Sequence, residues 1–330
     1  MGTQPMLINL RAVWDQMIDA GRMVSQVTDP QNGHAIEIGL AREPVSGRVR
    51  FDGTDITSST AATKRVERRA VAGSAYYIQL NEFRALRPVA AGNAGCPFVC
   101  DPHVSPLPPQ SLWARELLFF FSLPDSAYCG YANLVPFNEL GHFVIVPCRI
   151  DCGRLALPHT PQTLSHSRLE DFLGLRRLGE NMILFFNPAG GGASNEHHFH
   201  FQAVAHREHL AIERATREGR GRYTFLSGYP ANGVVFENGQ SHDDIWACIE
   251  RLQSAGVPAN LISMGDAVYV MPRSGDAERY PTGTPASMEM CGDFITADPL
   301  VYETADHVLL DSVLRRATLP KDRTMAILGI

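Results

Sequence analysis

The stretch FFNPAGGGASNEHHFHFQ, residues 185–202, places three glycines shortly before an alternation of polar and aromatic side chains. Successive side chains of a β-strand point to opposite faces. The alternation therefore predicts a strand that carries two imidazoles and an amide on one face, from His198, His200 and Gln202. The other face is predicted to pack into the core through Phe199, Phe201 and Ala203.

This polar face suits nucleophilic attack on phosphorus. Imidazole is largely neutral near pH 7, because its usual pKa is about 6.5, and it forms a covalent intermediate without a separate base. His200 is the predicted nucleophile, because it lies between His198 and Gln202. The amide of Gln202 does not titrate and can donate to a phosphoryl oxygen. The upstream residues are expected to form an anion cradle: Gly190 to Gly192, Ser194 and Asn195.

A His-x-His pair on a strand is also typical of metal sites, including those of cupin-like proteins. Such a site needs a carboxylate a few residues further along the chain. The first acidic residue downstream of the pair is Glu208, which lies beyond His206. The sequence therefore favours phosphorus chemistry over a metal-dependent oxygenase.

Composition narrows the class of protein further. The chain has 330 residues, of which 45% are hydrophobic and 19% charged, so it can bury a sizeable core. The formal net charge of -6 gives no electrostatic reason to expect nucleic acid or an anionic membrane as a partner. Seven cysteines are an odd number without the density of a disulfide scaffold, and no membrane span or signal peptide is apparent. The expected location is the cytoplasm.

Apolar periodicity predicts alternating strands and helices along most of the chain. A helix is expected from Ser165, as its N-cap, to about Glu180, and another from His242 to Ala255. Apolar strands that end at proline occur at His142 to Pro147 and at Val268 to Pro272. Their likeness suggests two related α+β halves, 1–215 carrying the His-x-His-x-Gln strand and 216–330 completing the fold.

Four segments, taken in order, resemble the transferase branch of the histidine-triad superfamily. Residues Ser194 to Gln202 resemble the Ser-Asn-x-His-x-His-x-Gln core of galactose-1-phosphate uridylyltransferases, with one extra residue, and more closely the core of GDP-hexose phosphorylases. The other three segments are Gln79-Leu-Asn-Glu with Arg84-Ala-Leu-Arg87-Pro88, Asn133-x-x-Pro136 with Gly141-His142-Phe-Val-Ile-Val-Pro147, and Tyr229-Pro230-x-x-Gly233-Val-Val-Phe-Glu237. The likeness runs from about Ile78 to Tyr302.

The resemblance implies an α+β fold with a histidine-triad-like antiparallel sheet and flanking helices. It implies that His200 accepts a nucleotidyl group and that Gln202 bonds its phosphate. Arg84 and Arg87 would reach the diphosphate or the incoming phosphate, a task that suits a planar, permanently charged guanidinium. The remaining residues implied at the phosphates or nucleotide are Asn133, Asn187, Gly192, Ser194, Asn195 and His198.

The activity implied is that of a nucleotidyltransferase or phosphorylase acting on a nucleoside diphosphate sugar, with GDP-hexose favoured. Phosphate or a sugar phosphate would be the acceptor, because hydrolytic relatives place a third histidine where this chain has Gln202. A dinucleoside polyphosphate phosphorylase or hydrolase, and a protein that only binds nucleotide or metal, stay open as alternatives. Homodimers are common in the family.

The resemblance is incomplete at the cysteines that bind a metal in some members of the family. The uridylyltransferases often carry a zinc-binding Cys-x-x-Cys, whereas this chain has Cys96-Pro-Phe-Val-Cys100, and the phosphorylases function without metal. No cofactor is therefore expected to be required. A structural zinc held by Cys96 and Cys100, completed by Cys152 and His198, stays open because thiolate and imidazole suit a tetrahedral site.

Overall fold

A computed structural model describes the chain over residues 9–20, 24–29, 32–44, 46, 49–61, 64–86, 119–133, 135–151, 154–158, 160–176, 181–193, 196, 198–206, 208–237, 239–275, 280 and 282–330. The helices in these ranges are α1 (Leu10–Asp19), α2 (His166–Leu175), α3 (His242–Ser254), α4 (Ser287–Met290), α5 (Pro299–Thr304), α6 (His307–Ala317) and α7 (Lys321–Leu328). Two short 3-10 helices lie at Glu82–Leu86 and Ala211–Arg214.

The strands of the first half are β1 (Val24–Thr28), β2 (Ala35–Arg42), β3 (Val49–Asp55), β4 (Thr60–Ala61), β5 (Val66–Ala70), β6 (Tyr77–Asn81), β7 (Phe119–Ser122), β8 (Ala127–Ala132), β9 (His142–Asp151), β10 (Arg154–Ala156), β11 (Met182–Phe186) and β12 (Phe201–Ala205). Those of the second half are β13 (Thr216–Arg220), β14 (Tyr223–Ser227), β15 (Val234–Phe236), β16 (Ala259–Met264), β17 (Ala267–Pro272) and β18 (Asp293–Thr296).

One large antiparallel sheet dominates the described part of the chain. Its strands run in the order β13-β14-β15-β17-β16-β11-β12-β9-β8-β7, and β10 extends it by pairing with β9. Two smaller sheets, β1-β2-β3-β4 and β18-β6-β5, lie beside it. The predicted α+β class, with a large antiparallel sheet and flanking helices, is confirmed.

The large sheet has the same strand order on both sides of its centre. In the first series the chain passes through β7, β8, β9, α2, β11 and β12, and the strands lie in the sheet in the order β7-β8-β9-β12-β11. In the second series it passes through β13, β14, β15, α3, β16 and β17, and the strands lie in the order β13-β14-β15-β17-β16. The two series meet where β11 pairs with β16. In this topology β9 occupies the same place as β15, and β12 occupies the same place as β17. The similar segments His142–Pro147, in β9, and Val268–Pro272, in β17, therefore lie in strands that do not correspond to each other. The boundary at residue 215 stays a prediction.

Each face of the large sheet is covered by different elements. On the face called here the helix-covered face, Phe186, Phe201 and Val270 pack with Phe172 of α2 and Ile249 of α3. On the opposite face, the core joins sheet residues to the β18-β6-β5 sheet and α6: Phe185, Val204, Ile262 and Tyr269 with Ile78, Phe294 and Val313. Both faces of the central strands are therefore buried, which explains their nearly continuous apolar sequence.

Capping residues fix where the two helices of the repeated series begin. The side chain of Ser165 accepts a hydrogen bond from Arg168 N, as the predicted N-cap requires, and Ser241 caps α3 through Asp243 N. The regular helix α2 ends at Leu175, earlier than predicted. Within the described ranges, no helix combines the length and apolar character that a membrane crossing requires.

Candidate active site

His200 lies in the extended segment that leads directly into β12. The sequence predicted that His198 and His200 belong to the strand, but regular pairing begins one residue later, at Phe201. The predicted alternation nevertheless holds on the apolar side, where the rings of Phe199 and Phe201 meet edge to face in the helix-covered core. His200 and Gln202 accordingly project toward the opposite face.

The imidazole of His200 is held in one tautomer. Its Nδ1 lies 2.9 Å from the carbonyl oxygen of His198, so Nδ1 carries the hydrogen and the ring lone pair lies on Nε2. The residue is only 4% exposed, and this burial lowers its pKa below the usual 6.5, although the hydrogen bond to His198 works in the other direction. Near pH 7 the ring is therefore neutral and can act as a nucleophile at Nε2.

Gln162 fixes the backbone on which this imidazole is mounted. Its Oε1 accepts from His200 N at 2.8 Å, and its Nε2 donates to the carbonyl oxygens of Asn187 at 2.8 Å and His200 at 3.1 Å. The side chain is buried, so these backbone groups have no water to replace it. Gln162 thereby connects the two ends of the glycine-rich loop, at Asn187 and at His200.

Gln202 is oriented by a buried histidine on the neighbouring strand. His142 Nε2 lies 2.9 Å from Gln202 Oε1, and His142 Nδ1 accepts from Phe137 N at 3.4 Å, so the hydrogen on Nε2 is donated to the amide oxygen. Asn133 Nδ2 lies 3.2 Å from the same nitrogen, but it is itself a donor and makes no hydrogen bond to Nε2 in this tautomer. Because Oε1 is used in this way, the amide nitrogen of Gln202 is left to donate to another group.

Polar residues continue across the sheet from His200. Phe185 pairs with Gln202 and Phe186 with Leu261, so continuing the two registers as far as Asn187 places it beside both His200 and Asn260. Asn187 Oδ1 accepts three hydrogen bonds: from Asn260 Nδ2 at 2.7 Å, Ser287 Oγ at 2.6 Å and Ser287 N at 3.1 Å. This leaves only its amide nitrogen for the predicted phosphate contact.

The glycine-rich loop packs against the second half of the chain. Gly192 has φ +91°, and a Cβ there would meet Ala286 and the carbonyl of Pro285 at 2.8 to 2.9 Å. Gly191 O accepts from Asn260 Nδ2 at 2.8 Å. Ser194 and Asn195, the other predicted members of the anion cradle, lie outside the described residues.

Arg84 lies close to this network. Its Nη1 donates to Val135 O at 3.1 Å, and its guanidinium lies 5.3 Å from the ring of Phe137, which packs against His142 with a centroid distance of 4.1 Å. The structure therefore brings Arg84 and Asn133 to the loop that supports His142 and Gln202. Arg87 lies outside the described residues.

His198 is fully buried and its Nδ1 lies 3.0 Å from Phe199 O. In the described ranges, no group of three or more His, Cys, Asp or Glu side chains could hold a metal ion. Cys96, Cys100 and Cys152 lie outside these ranges, so the zinc alternative stays a prediction.

Sequence reasoning did not assign a role to several residues of this network. Gln162 follows a proline in a loop, and nothing in its local sequence marks it. His142 lies in one of the segments that carry the family resemblance, but neither the resemblance nor the local sequence gives it a role of its own. Asn260 carried a usable signal, since it is a polar residue at the start of a strand that is otherwise apolar up to Ser263. The buried position of Ser287 depends on packing between distant segments.

The fold defined by this sheet is shared with a known enzyme. Three solved structures of yeast Ap4A phosphorylase Apa2 are similar to this chain: the complex with Ap4A (TM-score 0.54, 15% identity), Apa2 itself (0.52, 15%) and the complex with AMP (0.54, 16%). Each match covers 96% of this chain and 98 to 99% of the Apa2 chain.

At the level of sequence, no protein-family model and no curated protein matches the chain. The structural likeness shows a shared fold. It does not favour GDP-hexose over other nucleotide substrates.

Proposed function

We propose that this protein catalyses phosphorolysis of a dinucleoside polyphosphate through a covalent nucleotidyl-histidine at His200. The observation that carries the proposal is the 2.9 Å hydrogen bond between His200 Nδ1 and the His198 carbonyl, which leaves the lone pair on Nε2. Burial keeps that ring neutral by lowering its pKa. A neutral, oriented imidazole is what attack on phosphorus requires.

The reaction has two steps. In the first, Nε2 of His200 attacks the α-phosphorus, a P–N bond forms and the bridging P–O bond breaks, releasing a nucleoside polyphosphate. In the second, an oxygen of inorganic phosphate attacks the same phosphorus, the P–N bond breaks and a nucleoside diphosphate leaves. The hydrogen bond to His198 O stabilises the positive charge that the ring carries in the intermediate.

The surrounding side chains supply positioning and charge stabilisation in this proposal. The amide nitrogen of Gln202 donates to a phosphoryl oxygen, and Arg84 balances the negative charge of the phosphate chain. Asn133, Gly192 and the amide nitrogen of Asn187 complete the nucleotide and phosphate contacts. His198, Arg87, Ser194 and Asn195 keep their predicted roles at the phosphates.

The choice of a dinucleoside polyphosphate rests on the fold shared with Apa2, whose solved complexes hold Ap4A and AMP. A GDP-hexose phosphorylase is the second candidate. It is favoured by the Gln79-Leu-Asn-Glu segment, which the structure places at the end of β6, where Asn81 Nδ2 donates to Pro136 O at 3.0 Å. Both substrates would use the same imidazole and the same phosphate contacts.

The test is to trap the intermediate. The protein is mixed with Ap4A or GDP-glucose labelled at the α-phosphate, in the absence of phosphate, and denatured in base, where a phosphoramidate survives. We expect label on the wild-type chain and none on His200→Asn, with the preferred substrate labelling faster. Wild-type protein that binds nucleotide tightly but takes no label would be a non-catalytic binder.

The acceptor is identified by the products. Phosphate should convert the trapped intermediate to nucleoside diphosphate. Release of nucleoside monophosphate at the same rate without phosphate would instead make the protein a hydrolase. His209→Asn is a suitable control, because His209 is 81% exposed and pairs only with Glu213 among the interactions seen.

A further inference from the structure

A buried arginine without a counter-ion lies on the same side of the sheet as His200. Arg273 directly follows β17 and is only 4% exposed. Its Nη1 donates to Asn260 Oδ1 at 3.3 Å, whereas its Nε has no hydrogen-bond partner. Among the described residues, no carboxylate forms an ion pair with it. Burial lowers the pKa of Arg273 to about 10, so the guanidinium is still charged at neutral pH.

A buried charge with no partner is costly, and proteins normally pair it or use it to bind a ligand. The acid that acts on Arg273 electrostatically is Glu289, whose Oε2 accepts from Ala286 N at 2.8 Å. Burial raises the pKa of Glu289, which weakens its ability to compensate the arginine. Within the described residues, the charge of Arg273 is therefore not fully compensated, and an anion from outside the chain would balance it.

Two buried hydroxyls with no hydrogen-bond partner among the described residues belong to the turn at Tyr280. Tyr280 lies close enough to Arg273 to influence its pKa, and its hydroxyl is one of the two. The hydroxyl of Thr282, in the same turn, is the other. A guanidinium and two hydroxyls are the donors that phosphate-like oxyanions prefer.

The location relates this cluster to His200. Arg273 contacts Asn260, which contacts Asn187, and Asn187 lies beside His200 on the next strand. Neighbouring strands are about 4.8 Å apart, so Asn260 lies roughly 10 Å from His200 across the sheet. That span suits a phosphate one or two phosphoryl units away from the atom under attack.

We propose that Arg273, with the hydroxyls of Tyr280 and Thr282, forms a binding site for a phosphate-class oxyanion, contributed by the second half of the chain. Resting on the proposed function, the anion is either the acceptor phosphate or a phosphate of the substrate chain beyond the scissile bond. The site itself does not depend on that reaction, because the uncompensated charge is present in the resting protein.

The site is tested first without any substrate, with inorganic phosphate as the probe. Equilibrium dialysis of labelled phosphate and the melting temperature in increasing phosphate are measured for the wild type, Arg273→Gln and Tyr280→Phe. We expect Arg273→Gln to weaken phosphate binding at least about tenfold and Tyr280→Phe to weaken it several-fold. Arg315→Gln is the matched control, because Arg315 is 64% exposed and pairs with Asp311.

The melting temperature in phosphate-free buffer distinguishes an arginine that binds an anion from an arginine that stabilises the fold. Removing an uncompensated buried charge should leave the melting temperature of Arg273→Gln equal to or above that of the wild type. Phosphate should then stabilise the wild type and no longer stabilise the variant. A wild type that does not respond to phosphate, or a variant that binds it as the wild type does, overturns the proposal.

The two sources of the anion differ in the step that they affect. If the site holds the acceptor, Arg273→Gln slows phosphate-dependent release of the trapped nucleotide and leaves trapping unchanged. If it holds the substrate chain, the variant slows trapping itself. Failure of all trapping at His200 while Arg273-dependent phosphate binding persists would refute the proposed reaction and leave the anion site standing.

Discussion

His142 Nε2 and Gln202 Oε1 lie 2.9 Å apart on two adjacent strands, β9 and β12. His142 is almost fully buried, and its ring packs against Phe137 at a centroid distance of 4.1 Å and an interplanar angle of 52°. This packing restricts the imidazole, which in turn restricts which end of the Gln202 amide faces it. In the proposed reaction, His142 therefore acts as a positioning residue that presents the Gln202 amide nitrogen to the phosphate.

Replacing His142 by Phe should lower kcat about tenfold and change the KM for nucleotide little. A tenfold loss corresponds to about 1.4 kcal/mol, the typical worth of one hydrogen bond. The phenyl ring keeps the packing against Phe137 but cannot donate to Gln202. Steady-state kinetics provide the measurement.

The double variant gives the control for this role. In a Gln202→Ala background, His142→Phe should cause little further loss of kcat, because the two residues act as one unit. Equal losses with and without Gln202 would contradict positioning and indicate a general effect of His142 on the fold.

Gln162→Ala should reduce both stability and turnover. The substitution removes three hydrogen bonds and leaves buried backbone groups of Asn187 and His200 without partners, at a cost of about 2 to 4 kcal/mol in the free energy of unfolding. Because the same bonds hold the backbone under the imidazole, kcat should fall as well. Chemical denaturation and trapping kinetics measure the two effects.

Gln253→Ala is the matched control, because Gln253 lines the same cavity as Gln162. Its Nε2 makes one hydrogen bond, to Leu164 O at 3.0 Å. We expect a loss of about 1 kcal/mol and normal turnover. If the two glutamine variants affect turnover equally, the specific link between Gln162 and His200 is wrong.

Local sequence predicted the apolar part of the site well and its polar connections poorly. Alternation placed Phe199 and Phe201 in the core, because a strand's two-residue period is a local property. The partners of Asn187 could not be predicted in this way, because Asn260 and Ser287 lie 73 and 100 residues further along the chain. The contact with Asn260 follows from the pairing of β11 with β16, and the contact with Ser287 follows from the packing of α4 against β16. No motif in either half specifies these contacts.

Substitutions at two glycines of the loop should differ in a way that reports its contact with the second half. Gly190 has φ +71°, and among the described residues only Pro258 Cγ, at 3.7 Å, lies within 4 Å of an added Cβ. Gly190→Ala should therefore cost about 1 to 2 kcal/mol through backbone strain alone. At Gly192, an added Cβ also meets backbone atoms at 2.9 Å. Gly192→Ala should be more destabilising by a further 1 to 3 kcal/mol or so.

Denaturation of the two variants measures that difference directly. The proposed anion cradle adds a second expectation: Gly192→Ala should also slow nucleotide trapping more than Gly190→Ala does, because relief of the clash moves the loop away from Ala286. Equal stability of the two variants would show that the loop yields freely at Gly192 and does not depend on the second half for its shape.

The buried imidazole of His200 should change how the free energy of unfolding depends on pH. Its pKa is lower in the folded chain than the value near 6.5 expected after unfolding, mainly because burial disfavours the charged ring. Below pH 6.5 the unfolded chain therefore binds the proton first. The contribution of His200 to stability is complete above that pH and is lost as the pH falls through the folded pKa.

The free energy of unfolding of the wild type should thus fall more steeply below pH 6.5 than that of His200→Asn, which has no imidazole at this position to bind a proton. The carboxylates and the remaining histidines titrate in both proteins. The quantity to measure is therefore the difference between the two curves of unfolding free energy against pH. The acid limb of kcat/KM should lie below pH 6.5 for the same reason, since only the neutral ring attacks phosphorus. An acid limb above that value would mean that the ring gains a proton more readily in the folded protein, which contradicts a nucleophile kept neutral by burial.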